Sequence, residues 1–183
     1  MSLSSIIPNS ELTIFPLNES NDFSSFSCAS PELNDFLKED AFNDQEDLIS
    51  KTSLCFWKNE LAGYITLATD TIGTKEIYVS DGLERYKYSK YPGIKIARLA
   101  VDSRFEKRGV GTYLLFAGIG KALSICDSVG CRYILVDSKK ESIGFYEKYG
   151  FKLAEKNKKK DFSPMYLNMQ PIVAKLKLEK NSK

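Results

Sequence analysis

Histidine does not occur anywhere in this chain of 183 residues. A Ser-His or Cys-His nucleophile system therefore cannot form, and a zinc centre is not expected without the imidazole ligands that such centres commonly use. We predict that the protein holds no metal ion. Any general base has to be a carboxylate, a tyrosine or a relayed water molecule.

Cysteine is scarce, and long apolar runs are missing. The four cysteines show no C-x-x-C spacing, which favours reduced structural thiols. No apolar run approaches the ~20 residues that cross a bilayer, and residues 1–8 lack the basic start and long apolar core of a signal peptide. The net charge of +2 is too small to indicate nucleic acid binding by itself. We expect a cytoplasmic protein with no membrane partner.

The most informative stretch that is present covers residues 97–112, ARLAVDSRFEKRGVGT. An apolar strand passes into a short basic loop, and Gly109 and Gly111 then open a helix. The first turn of a helix has backbone N–H groups without partners and partial positive charge, and glycine lets a phosphate approach the backbone closely. The pattern predicts a phosphate-binding loop, whereas a G-x-G sequence alone is also typical of an ordinary turn.

The residues after this loop predict a crossover unit. A helix is predicted over 109–129, with Gly130 as its C-cap and an apolar stripe at spacings of four and three: Leu115, Ile119, Ala122, Cys126 and Val129. A buried strand is predicted for Arg132–Asp137, and a second helix for about 140–149 with Gly150 as its cap. Elements in this order form a right-handed unit that holds an anionic ligand at its centre.

The remaining segments complete a single domain. A helix is predicted after Ser30-Pro31 from an apolar stripe, and a hairpin is predicted at Asn59-Glu60. The stripe consists of Leu33, Phe36, Leu37, Ala41 and Leu48, and the further strand-like runs are 11–17, 52–58, 61–69, 94–102, 151–155 and about 165–169. We predict one domain over residues 1–183, with a core at about 11–170 and a charged C-terminal tail at 171–183 that is frayed over 175–183.

Two motifs in this framework resemble the GNAT superfamily of acetyl-CoA-dependent N-acetyltransferases. Glu106–Gly111 is similar to the pyrophosphate loop of that superfamily, and Phe145–Phe151 is nearly a full match to its later aromatic cap. The loop departs from the superfamily pattern at Glu106 and Lys107. The resemblance implies an α/β (α+β) fold with a central mixed, mostly antiparallel, twisted sheet, a splay between two parallel strands, and flanking helices.

The resemblance also implies the residues of the site. Acetyl-CoA would be the acetyl donor, with its pantetheine arm along Leu99, Ala100 and Val101. Phe145 would also contact the donor, and Tyr146 would be the general acid, since a phenol stays protonated at neutral pH and can donate to a thiolate. The pyrophosphate would lie against Lys107, Arg108, Gly109, Val110, Gly111 and Thr112.

Two roles stay open at this point. The general base is Asp102 or Asp70, or it is a relayed water, or the amine arrives already neutral. Each of these aspartates follows a predicted strand and could equally well cap the next turn. Arg98, next to Leu99 in an apolar strand, either contacts substrate or pairs with a carboxylate from a neighbouring element.

Within the superfamily the chain resembles the tRNA-acetylating toxins over roughly residues 23–169. That resemblance implies an aminoacyl-tRNA acceptor, a small antitoxin partner and a possible homodimer. A basic surface with interleaved tyrosines could bind RNA: Lys75, Arg85, Lys87, Lys90, Lys95, Tyr86, Tyr88, Tyr91 and the run 156–160. The alternatives are a small-amine or protein N-acetyltransferase unrelated to toxicity, and a non-catalytic acetyl-CoA-binding module.

Overall fold

The computed structural model describes residues 5–81, 87–155 and 161–181. The strands in these residues are β1 (Leu12–Pro16), β2 (Lys51–Trp57), β3 (Glu60–Gly73), β4 (Lys90–Val101), β5 (Tyr133–Lys139), β6 (Lys152–Leu153) and β7 (Phe162–Asn168). They form one sheet in the order β1-β2-β3-β4-β5-β7-β6.

The sheet is mostly antiparallel with one parallel pair. β1 with β2, β2 with β3, β5 with β7 and β6 with β7 pair antiparallel, whereas β4 and β5 pair parallel. The parallel register runs from Gly93–Tyr133 to Ile96–Val136, and both strands continue beyond that last pair. The predicted fold class is confirmed, and the splay between the two parallel strands stays a prediction.

The helices are α1 (Pro31–Asp35), α2 (Ala41–Glu46), α3 (Val110–Cys126), α4 (Ile143–Glu147) and α5 (Gln170–Asn181). A π-helical turn, Phe36–Asp40, joins α1 to α2. The predicted apolar stripe is buried at Phe36, Leu37 and Ala41, but Leu48 lies beyond α2 and is exposed. The prediction was wrong there because the backbone turns at Leu48, where φ is +60°.

One other predicted helix boundary is wrong, and one helix was not predicted. α3 ends at Cys126 rather than at 129, and the N–H of Ser128 donates to the carbonyl of Ile125, three residues earlier, which is the spacing of a turn. Val129 is exposed and Gly130 is not the cap. Residues 170–181, most of the segment predicted as a charged tail, form the helix α5, in which lysine, leucine, alanine and glutamate are good helix formers.

The chain divides into two compact units, and each has its own core. The first unit, Met1–Ala68 with Ala97–Ile119, packs its core around Tyr64. The rings of Phe26 and Phe36 lie 5.6 Å and 6.3 Å from the Tyr64 ring. The second unit, Thr69–Ile96 with Gly120–Lys183, packs its core around Tyr133 and Tyr166, whose rings lie 5.7 Å apart. That residues 1–183 form a single domain stays a prediction.

The hairpin between β2 and β3 turns one residue earlier than predicted. Lys58 and Asn59 both have positive φ, +49° and +66°, which is the backbone of a tight two-residue turn. β3 also runs past the predicted end at 69 and reaches Gly73. As a result Asp70 lies within a strand rather than after one. Within the described ranges, no helix has the length and apolar character needed to cross a bilayer.

Candidate active site

The loop between β4 and α3 has the backbone of an anion-binding site. Lys107 and Gly109 have φ of +58° and +93°, and loops in which left-handed and right-handed residues follow one another can form concavities that bind anions. The Gly109 carbonyl accepts the N–H of Tyr113 at 3.0 Å, so α3 begins directly after this glycine. The first-turn N–H groups of a helix point out of its N-terminal end, where the helix dipole is positive. The predicted phosphate-binding residues therefore share one loop and one helix terminus.

The N-terminal segment supports this loop, which the sequence did not indicate. Ile7 is buried, and its N–H donates to the carbonyl of Arg108 at 2.9 Å. The Arg108 Nε donates to the carbonyl of Ser5 at 3.2 Å, and its guanidinium lies 4.5 Å from the centroid of the Trp57 ring. The Arg108 side chain thus holds the loop in place and leaves positive charge beside it.

The predicted pantetheine strand lies in the same unit. Ala100 is buried in the core, while Leu99 and Val101 are half-buried. A Cβ added to Gly63 of β3 would stand 2.6 Å from the Ala100 carbonyl oxygen. Glycine at position 63 therefore permits β3 and β4 to approach closely where Ala100 lies.

Asp102 caps the turn after β4 and does not act as a free carboxylate. It accepts hydrogen bonds from the backbone N–H groups of Ser27 and Arg104, each at 3.0 Å, and from the Arg104 Nε at 2.8 Å. Burial raises the pKa of Asp102, but the hydrogen bonds and charge of Arg104 outweigh burial and hold the pKa below its usual value. Because both oxygens are occupied, Asp102 is not suited to be the general base.

Arg98 makes contacts other than the carboxylate pairing that we considered. Its guanidinium lies 4.9 Å from the centroid of the Phe36 ring, and Nη1 donates to its own neighbour, the Ala97 carbonyl, at 2.9 Å. Within residues 5–81, 87–155 and 161–181 its Nε is buried without a hydrogen-bond partner, and the ion pairs do not include it. The carboxylate pairing is not found among the described residues, and contact with substrate stays a prediction.

Tyr146 and Phe145 lie on α4, in the second unit. Tyr146 is buried, and its ring lies 5.1 Å from that of Phe145 and 5.4 Å from that of Phe151. Burial raises the pKa of Tyr146 to about 12, so the phenol keeps its proton at neutral pH. Among the residues that the structure describes, no group accepts a hydrogen bond from this hydroxyl, which leaves it able to donate to a bound ligand.

A small charged cluster lies in the second unit and was missed by sequence reasoning. The Lys95 Nζ is 2.9 Å from the Asp137 Oδ2 and 3.4 Å from the Asp70 Oδ2. Burial lowers the pKa of Lys95, but the two carboxylates outweigh burial and raise it, so the ammonium stays charged. The one available signal was Asp137, a carboxylate that directly follows the apolar run 133–136.

The basic surface that we predicted is described only in part. Lys87 and Lys90 are exposed, and the rings of Tyr88 and Tyr91 lie 6.0 Å apart. Lys95 belongs to the cluster above and adds little positive surface. Arg85, Tyr86 and the run 156–160 lie outside the described residues. In the described ranges, the cysteines, aspartates and glutamates do not form a group of three or more arranged to hold a metal ion.

Comparison with known proteins agrees with this geometry. Residues 17–151 match the acetyltransferase (GNAT) family. The chain is 28% identical over 139 residues to a tRNA-acetylating toxin of Mycobacterium tuberculosis, a match that covers 75% of this chain and 82% of that protein.

Two solved structures share the fold. One is AtaT complexed with acetyl-methionyl-tRNAfMet, with a TM-score of 0.81, 19% identity, and coverage of 90% of this chain and 99% of that chain. The other is a mutant of AtaT bound to the C-terminus of the antitoxin AtaR and acetyl-CoA, with a TM-score of 0.71, 19% identity, and coverage of 88% and 96%. Together with the family match, these findings confirm the resemblance: the chain belongs to the acetyltransferase (GNAT) family and is an acyltransferase.

Proposed function

We propose that this acetyltransferase moves the acetyl group of acetyl-CoA to the α-amine of an aminoacyl-tRNA. The observation that carries the proposal is the similarity, over most of the chain, to a tRNA-acetylating toxin. The loop before α3 supports the choice of donor, because positive φ at Lys107 and Gly109 and the helix terminus suit a pyrophosphate.

The donor would be held mainly by backbone groups. The N–H groups of residues 108–112 would bind the pyrophosphate, with Arg108 and Lys107 adding positive charge. Leu99, Ala100 and Val101 would receive the pantetheine arm along the edge of β4, where the register with β5 has ended. Phe145, which precedes the proposed acid, would pack against the donor.

Tyr146 would act as the general acid. The neutral amine nitrogen attacks the thioester carbon, the carbon–sulfur bond breaks, and the departing thiolate takes the proton of the Tyr146 hydroxyl. The proton that the nitrogen then loses would restore the Tyr146 hydroxyl. The raised pKa of about 12 keeps the phenol protonated at neutral pH, so that its proton is present when the thiolate departs.

The amine would need little help to lose its proton. An α-amino group has a pKa near 8, so a substantial fraction is neutral at pH 7 to 8. Asp102 is occupied by Arg104 and Ser27, which supports a relayed water as the route for that proton. Arg98, whose Nε has no partner within the described chain, would contact the acceptor.

The partners and the location follow from the same proposal. A small antitoxin protein would neutralise the enzyme, as AtaR is bound to AtaT, and two copies of the chain would form a homodimer. The four cysteines are not joined in disulfides, and burial raises the pKa of Cys55 to about 12 and that of Cys131 to about 11. Cysteines that form no disulfide support a reducing compartment, the cytoplasm.

A polyamine acceptor is the second candidate. Asp70, Glu76 and Asp137 line a common cavity, and clustered carboxylates would attract a multiply charged amine. Transfer of labelled acetyl from acetyl-CoA tests both candidates. The acceptors are bulk aminoacylated tRNA, the same tRNA after deacylation, free polyamines and a lysine-bearing peptide mixture.

Label on charged tRNA alone is the expected result. Label on polyamines alone would replace the first candidate with the second. Label on uncharged tRNA would place the acetyl group on the nucleic acid and contradict transfer to the α-amine. Label on peptides alone would identify a protein acetyltransferase.

A further inference from the structure

Arg98 lies on β4 with a guanidinium whose hydrogen bonds are only partly made in the described chain. Its Nη1 donates to the carbonyl of Ala97 at 2.9 Å. Its Nε is buried and has no hydrogen-bond partner within residues 5–81, 87–155 and 161–181. Within the same ranges Nη2 makes no hydrogen bond either, and it is not buried as Nε is. Because a buried donor without a partner costs free energy, a ligand that completes these hydrogen bonds would explain the arrangement.

The positive charge of Arg98 is also uncompensated in the part of the chain that the structure describes. The ion pairs found there do not include this residue. The guanidinium instead lies over the ring of Phe36, 4.9 Å from its centroid. Contact with an aromatic face holds a guanidinium in place without neutralising its charge. Arg98 is therefore a positioned cation that can receive an anion.

The surroundings of the guanidinium strengthen such an interaction. Phe36 and Tyr64 are both buried in the core of the first unit, and Arg98 itself is half-buried. The Tyr64 hydroxyl donates to the carbonyl of Leu33 at 2.7 Å, so its proton is already engaged. A charge beside an apolar surface is screened less by water and salt than a charge in open solvent. We therefore expect Arg98 to bind an anion more strongly than an exposed lysine would.

The place of Arg98 on its strand indicates which molecule carries the anion. The proposed function puts the pantetheine arm along Leu99–Val101 and the pyrophosphate beyond it, at residues 108–112. Three residues of extended strand lead from Arg98 to Val101, a distance of about 10 Å. Arg98 and the anion-binding loop thus lie at opposite ends of this strand segment, and the thioester end of the arm lies beside Arg98. An anion at Arg98 would belong to the acceptor rather than to the donor.

We propose that Arg98 binds the phosphodiester on the 5′ side of the terminal adenosine of the aminoacyl-tRNA. This inference rests on the proposed function. In a charged tRNA this phosphodiester is the anion nearest to the α-amine, and a single nucleoside separates the two. A planar guanidinium can present two N–H groups to two oxygens of one phosphate, which fixes the orientation of the nucleotide as well as its position. Arg98 is thus a positioning residue that acts on the amine through the nucleotide.

The first test compares two small acceptors that differ by a single phosphate. One is adenosine with the amino acid on its 3′ oxygen, and the other is the same compound with its 5′ hydroxyl converted to a methyl phosphodiester. For wild-type enzyme we expect kcat/KM to be at least about 10-fold higher with the phosphodiester, the factor of a hydrogen bond to a charged group. For Arg98→Gln we expect the two acceptors to react equally well. The same preference in wild type and variant would overturn the inference.

Charged tRNA provides the second measurement, which carries the test alone if the small acceptors do not react. Arg98→Gln is expected to raise KM for charged tRNA about 10-fold without changing KM for acetyl-CoA. The slope of log kcat/KM against log salt concentration should become shallower by about 0.7, the contribution of one phosphate in a single strand. Lys121→Gln removes one positive charge from an exposed site on α3 and, as the control, should behave as wild type.

Arg98→Lys keeps the charge but loses the paired N–H groups of the guanidinium. Its KM for charged tRNA is expected to lie between the values of wild type and Arg98→Gln. Thermal unfolding shows whether each variant is folded. If Arg98→Gln is not, Arg98→Lys replaces it in both tests, with a phosphodiester preference below that of wild type. An Arg98→Lys enzyme with the wild-type preference and KM would then contradict the inference.

The outcomes separate this inference from the proposed function. No acetylation of charged tRNA by wild-type enzyme would overturn the proposed function and this inference with it. Acetylation with the same KM and salt dependence in wild type and Arg98→Gln would overturn the inference alone. A raised KM for acetyl-CoA would assign the guanidinium to the donor, and an equal loss of kcat on both small acceptors would assign it to the reacting atoms. Either of these results would contradict contact with the phosphodiester.

Discussion

Replacing Gly109 by aspartate tests the anion-binding loop most sharply. Gly109 has φ of +93°, and an added Cβ would lie 3.4 Å from the Cγ2 of Ile6. Any L side chain there carries backbone strain of about 1–2 kcal/mol. The aspartate also adds a negative charge at the place proposed for the pyrophosphate. The variant therefore has both backbone strain and electrostatic repulsion of the ligand.

The charge can be separated from the strain with Gly109→Asn, which has nearly the same shape and tolerates positive φ. At a separation of about 5 Å and an effective dielectric constant of about 20, two unit charges repel by about 3 kcal/mol. We therefore expect Gly109→Asp to bind acetyl-CoA at least about 100-fold more weakly than Gly109→Asn. Gly130→Asp adds the same charge at a glycine with open space around it and should bind acetyl-CoA as wild type does.

The assay is isothermal titration of acetyl-CoA into each variant, with thermal unfolding measured in parallel. Equal affinity of the Gly109→Asp and Gly109→Asn proteins would refute the reasoning, because the pyrophosphate would then not lie beside this residue. A common loss of folding in both variants would be visible in the unfolding curves, and the comparison would then use Gly109→Ala against Gly109→Ser together with the salt dependence of acetyl-CoA affinity.

Three further changes have definite expected outcomes. Tyr146→Phe should lower kcat about 100-fold while acetyl-CoA affinity stays constant, and unchanged kcat would remove Tyr146 from the chemistry. Asp102→Asn should lower the free energy of unfolding at pH 7 by about 2 kcal/mol. Because the pKa of Asp102 is lowered in the folded protein, its carboxylate stabilises the fold above pH 3.8, and this stabilisation disappears as the pH falls. The free energy of unfolding, measured with denaturant, should therefore depend less on pH in the acid range for the variant than for wild type. The same pH dependence in both proteins would contradict this. Gly63→Ala should lower the free energy of unfolding by about 1–3 kcal/mol, because the added Cβ would meet the backbone of Ala100. Gly120→Ala adds a Cβ in open space and should not lower it. Equal melting temperatures of the two variants would contradict the close approach of β3 and β4 at Gly63.

The sequence predicted those parts of the fold whose signals are local. The glycines around the loop, the apolar run of β5 and the cap at Gly150, where φ is +86°, indicated the crossover unit. Periodicity failed at Leu48 and Val129, because apolar residues continue in sequence after the backbone has left the helix. α5 was missed because its apolar residues are diluted by lysine.

The site residues that belong to a sequence motif were predicted, whereas contacts between residues far apart in the sequence were missed. Tyr146 and the loop residues follow from motifs, although their roles stay predictions. The contact of Ile7 with Arg108 and the joining of Asp70, Lys95 and Asp137 depend on which distant segments meet. A single sequence contains no local signal for such contacts.

The measurement that tests the central claim most directly is the chemical position of the transferred acetyl group. Charged tRNA is incubated with the enzyme and acetyl-CoA and digested with ribonuclease, and the aminoacyl-adenosine from its 3′ end is analysed by mass spectrometry. We predict one acetyl group on the amino acid nitrogen with wild-type enzyme, and far less with Tyr146→Phe. Unmodified aminoacyl-adenosine, from enzyme that binds acetyl-CoA normally, would contradict the proposed acceptor.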